Sequence, residues 1–397
     1  MFDKNIPELI EDLEELRKSD LNRRKEKICK EYVENKEIIP FYVLAEENFW
    51  CTKFNYDMVS YYKDPLLFLK AQLMIELYSF NNFTDFAVLS EDIRMYLGTG
   101  LPFVILGMKP LFFSNLPFYV DVNNPLIKTE ADLDKLEMPD FHKSSIMLHV
   151  LFLYGMLNKL SKNRLNILFP TWIAGPWSMA WHIRGVTNLL LDIHRNPKLI
   201  RKIMDFVTEA RINWENERIK KFGDLGSSAF STPYLPEGNE CILGNDEVDG
   251  TMFSPKFYET HIFPYEKMLA QRSDRTYYHS CGNITNLLPI INKLPRLYKV
   301  EICRTGNTDL ETAVRVLDEN VILQLCMHPI HDVFESTPKE MEKTLEKIIR
   351  ESRGRRIEIV LEGINCYPRL SVDAQVEKIK QWIDIAYEVT KQRSIFH

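Results

Sequence analysis

Between residues 6 and 36 the apolar side chains Ile10, Leu13, Leu16 and Leu21 recur at roughly helical spacing among Glu, Lys and Arg. That pattern predicts amphipathic helices forming an outer layer. An apolar run at 38–44 then predicts a first strand, and Asp64-Pro65 opens a further helix with proline in its first turn. From there short apolar runs alternate with helical stretches. The runs at 86–90, 103–107, 166–171, 227–232, 276–281, 298–303, 321–327 and 357–362 are predicted strands. Between them, the stretch 197–221 places Ile200, Ile203, Met204 and Val207 on one side of a helix. Ser336-Thr337-Pro338 starts another, a capping residue followed by proline. Alternation of this kind implies a mostly parallel sheet. About eight strands over roughly 300 residues fit an α/β TIM (β/α)8 barrel better than an open sheet. The expected organisation is an N-terminal helical extension over 1–60, packed on a barrel over 61–397.

The chain has 397 residues, of which 45% are apolar, enough for a sizeable core. Its net charge of −6 argues against nucleic acid or an anionic membrane surface as the main partner. No run reaches the length of a transmembrane helix, and the first residues read as the start of an acidic helix, not a signal peptide. Seven cysteines, an odd number spread along a long chain, do not suggest a disulfide framework. The expected compartment is a reducing cytoplasm, where thiols stay free to bind metal. No G-x-G-x-x-G follows a strand and there is no P-loop motif, so nucleotide binding has no support.

The most informative stretch is Thr276-Tyr277-Tyr278-His279-Ser280-Cys281-Gly282-Asn283. His279 and Cys281 are two residues apart, so in extended backbone they face the same side, and Gly282-Asn283 then turns the chain. A His-x-Cys pair at a strand end suits a metal site that still needs a third ligand. In a barrel, chemistry sits at the C-terminal ends of the strands. Cys29 and Cys51 lie early, as structural thiols, and Cys241 is expected in a loop. Cys366, in a Gly/Pro-flanked loop after the last strand, is the leading third ligand, while Cys303 and Cys326 remain open at strand ends. Two thiolates and one imidazole suit zinc, and three protein ligands leave a position for catalysis. Acidic side chains expected near the mouth are Asp246, Glu247 and Asp249 in one loop, with Glu301 and Glu362 at strand ends. Asp246 and Glu301 are the candidate catalytic residues: they would orient a ligand imidazole, complete the metal shell or hold substrate. Trp172, Trp177 and Trp181 are candidates for an aromatic pocket, with packing as the alternative for Trp181. His182, His328 and His331 read as polar surface or loop residues, with a site role left open for His328.

These residues also carry a resemblance. The block Tyr278 to Asn283, with Gly363-Ile364-Asn365-Cys366-Tyr367-Pro368, resembles the zinc methyltransferase branch of the uroporphyrinogen decarboxylase superfamily. That branch includes methylcobalamin:coenzyme M methyltransferases and corrinoid-dependent demethylases of anaerobes. Supporting blocks are 131–136 with Pro139-Asp140-Phe141, Ile173-Ala174-Gly175-Pro176-Trp177 with Arg184-Gly185, and Asp246 with 253–258. The similarity covers about residues 60–390. The neighbours of Cys366, Asn365 and Tyr367, differ from the glycine often seen in the family. The resemblance implies a TIM barrel, zinc on His279, Cys281 and Cys366, and methyl transfer in one-carbon metabolism. It further implies a corrinoid, methylcobalamin, supplied by a partner corrinoid protein, with a small thiol or methyl ether as methyl acceptor or donor. Two alternatives stand beside it. True uroporphyrinogen decarboxylation needs arginines to grip propionates, and residues 40–60 contain no Arg. A barrel that only binds metal or corrinoid would carry a closed zinc shell.

Overall fold

The structure is a computed structural model that describes residues 4–32, 35–223 and 238–392. It is an α/β fold built on parallel strands. In chain order these are β1 (Phe41–Ala45), β2 (Asp92–Arg94), β3 (Asn166–Leu168), β4 (Glu240–Gly244), β5 (Arg275–His279), β6 (Leu297–Cys303), β7 (Ile322–Met327) and β8 (Ile357–Ile364). Six of them form one parallel sheet in the order β1-β8-β7-β6-β5-β4, and β2 with β3 forms a second parallel pair. Backbone contacts link the two pieces. Gly244 bridges to the segment around Ala174: its O accepts from Gly175 N and its N donates to Ile173 O, both at 2.8 Å. Phe86 N donates to Phe41 O at 3.1 Å. Arg211 reaches across the first junction, donating to Ala174 O at 2.9 Å and Ile242 O at 2.8 Å. The continuous eight-stranded ladder expected from the sequence is therefore a curled six-stranded sheet plus a pair.

Several expected elements differ. Residues 103–107 are not a strand: Leu101–Ile105 is a short helix, with Pro102 in its first turn and all five residues buried. A short apolar run reads the same for a buried helix and a buried strand. The segment 86–90 opens on a bend and joins no ladder, and the strand comes just after it, at β2. The run at 227–232 lies outside the described residues. The strand carrying Cys241 was not anticipated; the thiol expected in a loop is buried within β4. β1 pairs with β8, so the sheet begins well before residue 60. Helices Ile6–Arg17 and Asp20–Tyr32 precede it, the first opened by a reciprocal Asn5–Glu8 capping box.

Alternation along the strands decides what faces inward. Ile173, Ile242 and Tyr277 form a small apolar cluster separate from the main core. The main core lies where the outer faces of the strands meet the helices, with Tyr278, Val300, Leu323, Leu325, Ile359 and Leu361 among its members. The opposite face of β6, β7 and β8 carries Lys299, Glu301, Gln324 and Glu358, all buried. Lys299 Nζ meets Glu358 Oε2 at 2.7 Å, and the Tyr277 hydroxyl lies 2.5 Å from Gln324 Oε1 and 2.8 Å from Glu301 Oε2. A polar column thus runs through the sheet's concave side up to β5.

The helix Phe263–Ala270 carries a buried carboxyl against this scaffold. Glu266 Oε1 accepts from Asn245 Nδ2 at 2.8 Å and Oε2 from the Tyr258 hydroxyl at 2.5 Å. Burial pushes Glu266 up to about 7, from an ordinary value of 4.5. The folded state therefore keeps a proton that the unfolded chain releases. Stability from this group is full below 4.5 and is lost as pH rises through 7, by about 3 kcal/mol in all. Glu266→Gln is expected to flatten that slope. Urea unfolding at pH 5 and pH 8 checks it: an unchanged slope in the variant rejects the assignment to Glu266.

Candidate metal centre at the strand ends

Each residue of the candidate centre sits at or just past the C-terminal end of a strand. Asp246 follows β4, His279 ends β5, and Cys281 lies two residues beyond. Glu301 is within the last turn of β6 side chains that face inward, and Cys303 ends that strand. Two glycines let these loops approach. A Cβ on Gly306 would sit 2.3 Å from Gly282 O, so only glycine allows the loop after β6 to close on the loop bearing Cys281.

His279 is buried and gripped from both sides. Its Nδ1 is hydrogen-bonded to Glu301 Oε2, and its Nε2 lies 2.7 Å from Asp246 Oδ1. Burial disfavours the imidazolium, but the facing Glu301 and Asp246 carboxylates outweigh it and hold the His279 pKa well above its ordinary value. Asp246 loses solvation in turn, yet the His279 charge beside it keeps its carboxyl below the usual range. Cys281 Sγ is 3.7 Å from His279 Nε2. For tetrahedral zinc, bond lengths of about 2.0 Å to nitrogen and 2.3 Å to sulfur give an N···S edge of about 3.5 Å. The pair is thus spaced as two ligands of one ion. The 2.7 Å to Asp246 is the spacing of a hydrogen bond to the imidazolium.

Among the described residues, two groups have donor atoms close enough to share an ion: Asp246, His279 and Cys281, and His279, Glu301 and Glu362, each set within 4.8 Å. The donor chemistry of the first fits zinc, one imidazole, one thiol and one carboxylate. Glu301 holding the far ring nitrogen is the arrangement by which a carboxylate fixes the tautomer of a metal-binding histidine. Its second oxygen, Oε1, is buried with no hydrogen-bond partner.

Of the residues expected from the sequence, the structure brings together His279, Cys281, Asp246 and Glu301. Cys366 is in neither group. Its Sγ donates to Asn48 O at 3.3 Å. It does share with Cys281, Cys303, Cys326, His328 and Glu362 the wall of a cavity of about 280 Å³. The sulfur nearest in chemistry to Cys281 is Cys303: a hydrogen bond between the two thiols draws Cys303 down to about 6 and raises Cys281. Burial and the neighbouring Glu301 push Glu362 well up, and Cys326 likewise.

Other expectations change. Trp172 and Trp177 are fully buried: Trp172 Nε1 points to Met179 Sδ at 3.1 Å and Trp177 packs on Phe253 and Phe257. They are core residues, and Trp181 packs against the same core. His182, expected at the surface, is buried. Its Nδ1 donates to Ser178 O at 2.8 Å, which leaves Nε2 to accept from the Tyr119 hydroxyl at 2.7 Å. It faces Glu247, which burial, and Asp246 after it, push up to about 7. Asp249 is a turn residue, accepting from Thr251 N at 2.7 Å. Sequence reasoning missed Tyr277 and Gln324, which sit in contact with Glu301 or with each other. Their signal was present: polar residues at every second position of otherwise apolar strands, as in Lys299-x-Glu301-x-Cys303.

Comparisons with known proteins bear on the family and the fold. Residues 43–225 match the uroporphyrinogen decarboxylase (URO-D) family, which bears out the resemblance read from the sequence. Among solved structures, a methyltransferase from Methanosarcina mazei superposes with a TM-score of 0.61 at 12% identity. The match covers 88% of this chain and 94% of that one, so the two share a fold. No curated protein matches the chain in sequence. No helix among the described residues is long and apolar enough to cross a membrane.

Proposed function

We propose that this protein is a zinc-dependent methyltransferase. It moves a methyl group between a corrinoid, carried by a partner corrinoid protein, and a small thiol or methyl ether. The observation that carries the reading is His279 Nε2 at 3.7 Å from Cys281 Sγ, with Nδ1 held by Glu301. The match of residues 43–225 to the URO-D family and the methyltransferase fold neighbour support it. In the same reading the six-stranded sheet and the β2–β3 pair together form the eight-stranded barrel of that family, with the helices before β1 as an outer extension. The cytoplasm of an anaerobic cell is the setting.

His279 and Cys281 would hold the ion, with Asp246 at the same edge and Cys366 as the third protein ligand. Support for Cys366 is its place on the wall of the cavity that Cys281 also lines. Cys303 is the rival, because it lines the same cavity wall and its thiol interacts with that of Cys281. When bound, zinc supplies Lewis acidity, which favours a thiolate at neutral pH or polarises an ether oxygen. The chain's own residues prepare the place for it. Glu301 keeps the Nδ1 proton and aims the Nε2 lone pair outward. Asp246 can accept or return a proton beside His279. The apolar part of the cavity wall, with Met327, Ile330 and Phe334, limits water around the substrate.

Cys366→Ala is expected to weaken zinc by at least about 100-fold and to remove demethylation of methylcobalamin, with the fold intact. Zinc content and turnover with a panel of thiols and methyl ethers check this. Full zinc in Cys366→Ala with loss in Cys303→Ala moves the third ligand to Cys303. Full zinc and no turnover with any acceptor in the wild-type protein rejects methyl transfer.

A further inference from the structure

A second cavity, of about 520 Å³, shares no wall residue with the one beside Cys281. It lies between the helix Met58–Lys63, the short helix Leu101–Ile105 and the start of the helix Ser145–Ser161. Its size is that of a small-molecule site. Leu97, Val104, Met108 and Phe118 give it an apolar wall.

The polar groups around that wall share one sign. Lys63 and Lys109 line it, and no Asp or Glu does. This is unusual in a chain of net charge −6. The cavities lined by Glu215 and Glu240, by Asp246 and Glu247, and by Glu362 each hold carboxylates. The Lys63 ammonium lies 6.0 Å over the Phe112 ring. Ser145 and Ile146 bring the first turn of a 17-residue helix to the same wall, where peptide N–H groups favour negative charge.

We propose that this cavity binds a small amphipathic carboxylate with an aromatic or short alkyl body. The carboxylate is neutralised by Lys63 and Lys109 beside the first turn of the helix Ser145–Ser161, while the body lies against Leu97, Val104, Met108 and Phe118. Nothing in this assignment depends on the metal centre.

The test is calorimetric titration of the full chain, as purified, with 4-phenylbutyrate and with 4-phenylbutan-1-ol. The carboxylate is expected to bind at least about tenfold tighter than the alcohol, the worth of a charge-assisted bond. Lys63→Met and Lys109→Met are expected to cost about three- to tenfold each for the carboxylate and nothing for the alcohol. Both lysines are exposed, so these variants keep the fold. Equal binding of alcohol and acid, unchanged binding in the double lysine variant, or no binding of either probe up to about 5 mM each overturns the proposal.

Discussion

Replacing His279 by alanine is expected to strip zinc from the protein and to cut methyl transfer by about 10³-fold or more, the worth of several kcal/mol of charge stabilisation. The argument is geometric. His279 is the one residue that belongs to both groups of donors able to share an ion. It alone connects the exposed edge, Asp246 and Cys281, with the buried Glu301. Its loss also removes the cation facing Glu301, whose side chain is 0% exposed. Destabilisation of about 2–4 kcal/mol should accompany the loss of metal. Glu301→Gln separates the two effects, since the imidazole stays and only its orienting carboxylate goes. That variant should keep stoichiometric zinc at high concentration with an affinity lowered about 10–100-fold. Metal analysis and competition with a chelator read both. A His279→Ala protein that retains full zinc would remove the basis for a zinc methyltransferase.

Glu358→Ala is expected to destabilise the fold by about 3–5 kcal/mol. Lys299 and Glu358 are 2.7 Å apart with side chains 2% and 3% exposed, so truncating one leaves an ammonium in the interior. The pair itself is worth far less than that, because burying both charges cost most of what their attraction returns. The double change Lys299→Met with Glu358→Leu should therefore sit within about 2 kcal/mol of the wild-type protein. Urea unfolding of the three variants gives the coupling directly. A single Glu358→Ala variant within 1 kcal/mol of wild type would mean that water or a neighbour replaces the lost carboxylate. The result reaches beyond stability, because Glu358, Gln324, Tyr277 and Glu301 share one face of adjacent strands.

Much of the site was legible in the sequence because it depends on local rules. His279 and Cys281 share a side because a strand alternates, and the strand itself is announced by its β-branched and aromatic run. Asp246 and Glu301 were placed near the mouth by the rule that barrel chemistry gathers at strand ends. The helices opened by Pro65, Pro197 and Pro338 begin where their prolines predict. The resemblance then named the family that residues 43–225 match.

Less local features escaped. Residues 103–107 were read as a strand where the helix Leu101–Ile105 lies, since five buried apolar residues carry no period of their own. Trp172 and Trp177 looked available for substrate because composition says nothing about what lies behind a side chain; they are packed in the core. His182 looked exposed for the same reason.

The amino-acid order by itself determined the alternating α/β plan, the His279–Cys281 spacing and the reduced state expected of the cysteines, all consequences of nearest-neighbour geometry and composition. Only the tertiary structure decided which distant groups meet: Glu301 on the far nitrogen of His279, Cys303 against Cys281, and Cys366 bonded to Asn48 on the wall of a shared cavity. Those contacts join residues up to 318 positions apart, and a spacing rule loses its reach once the chain has turned through several loops.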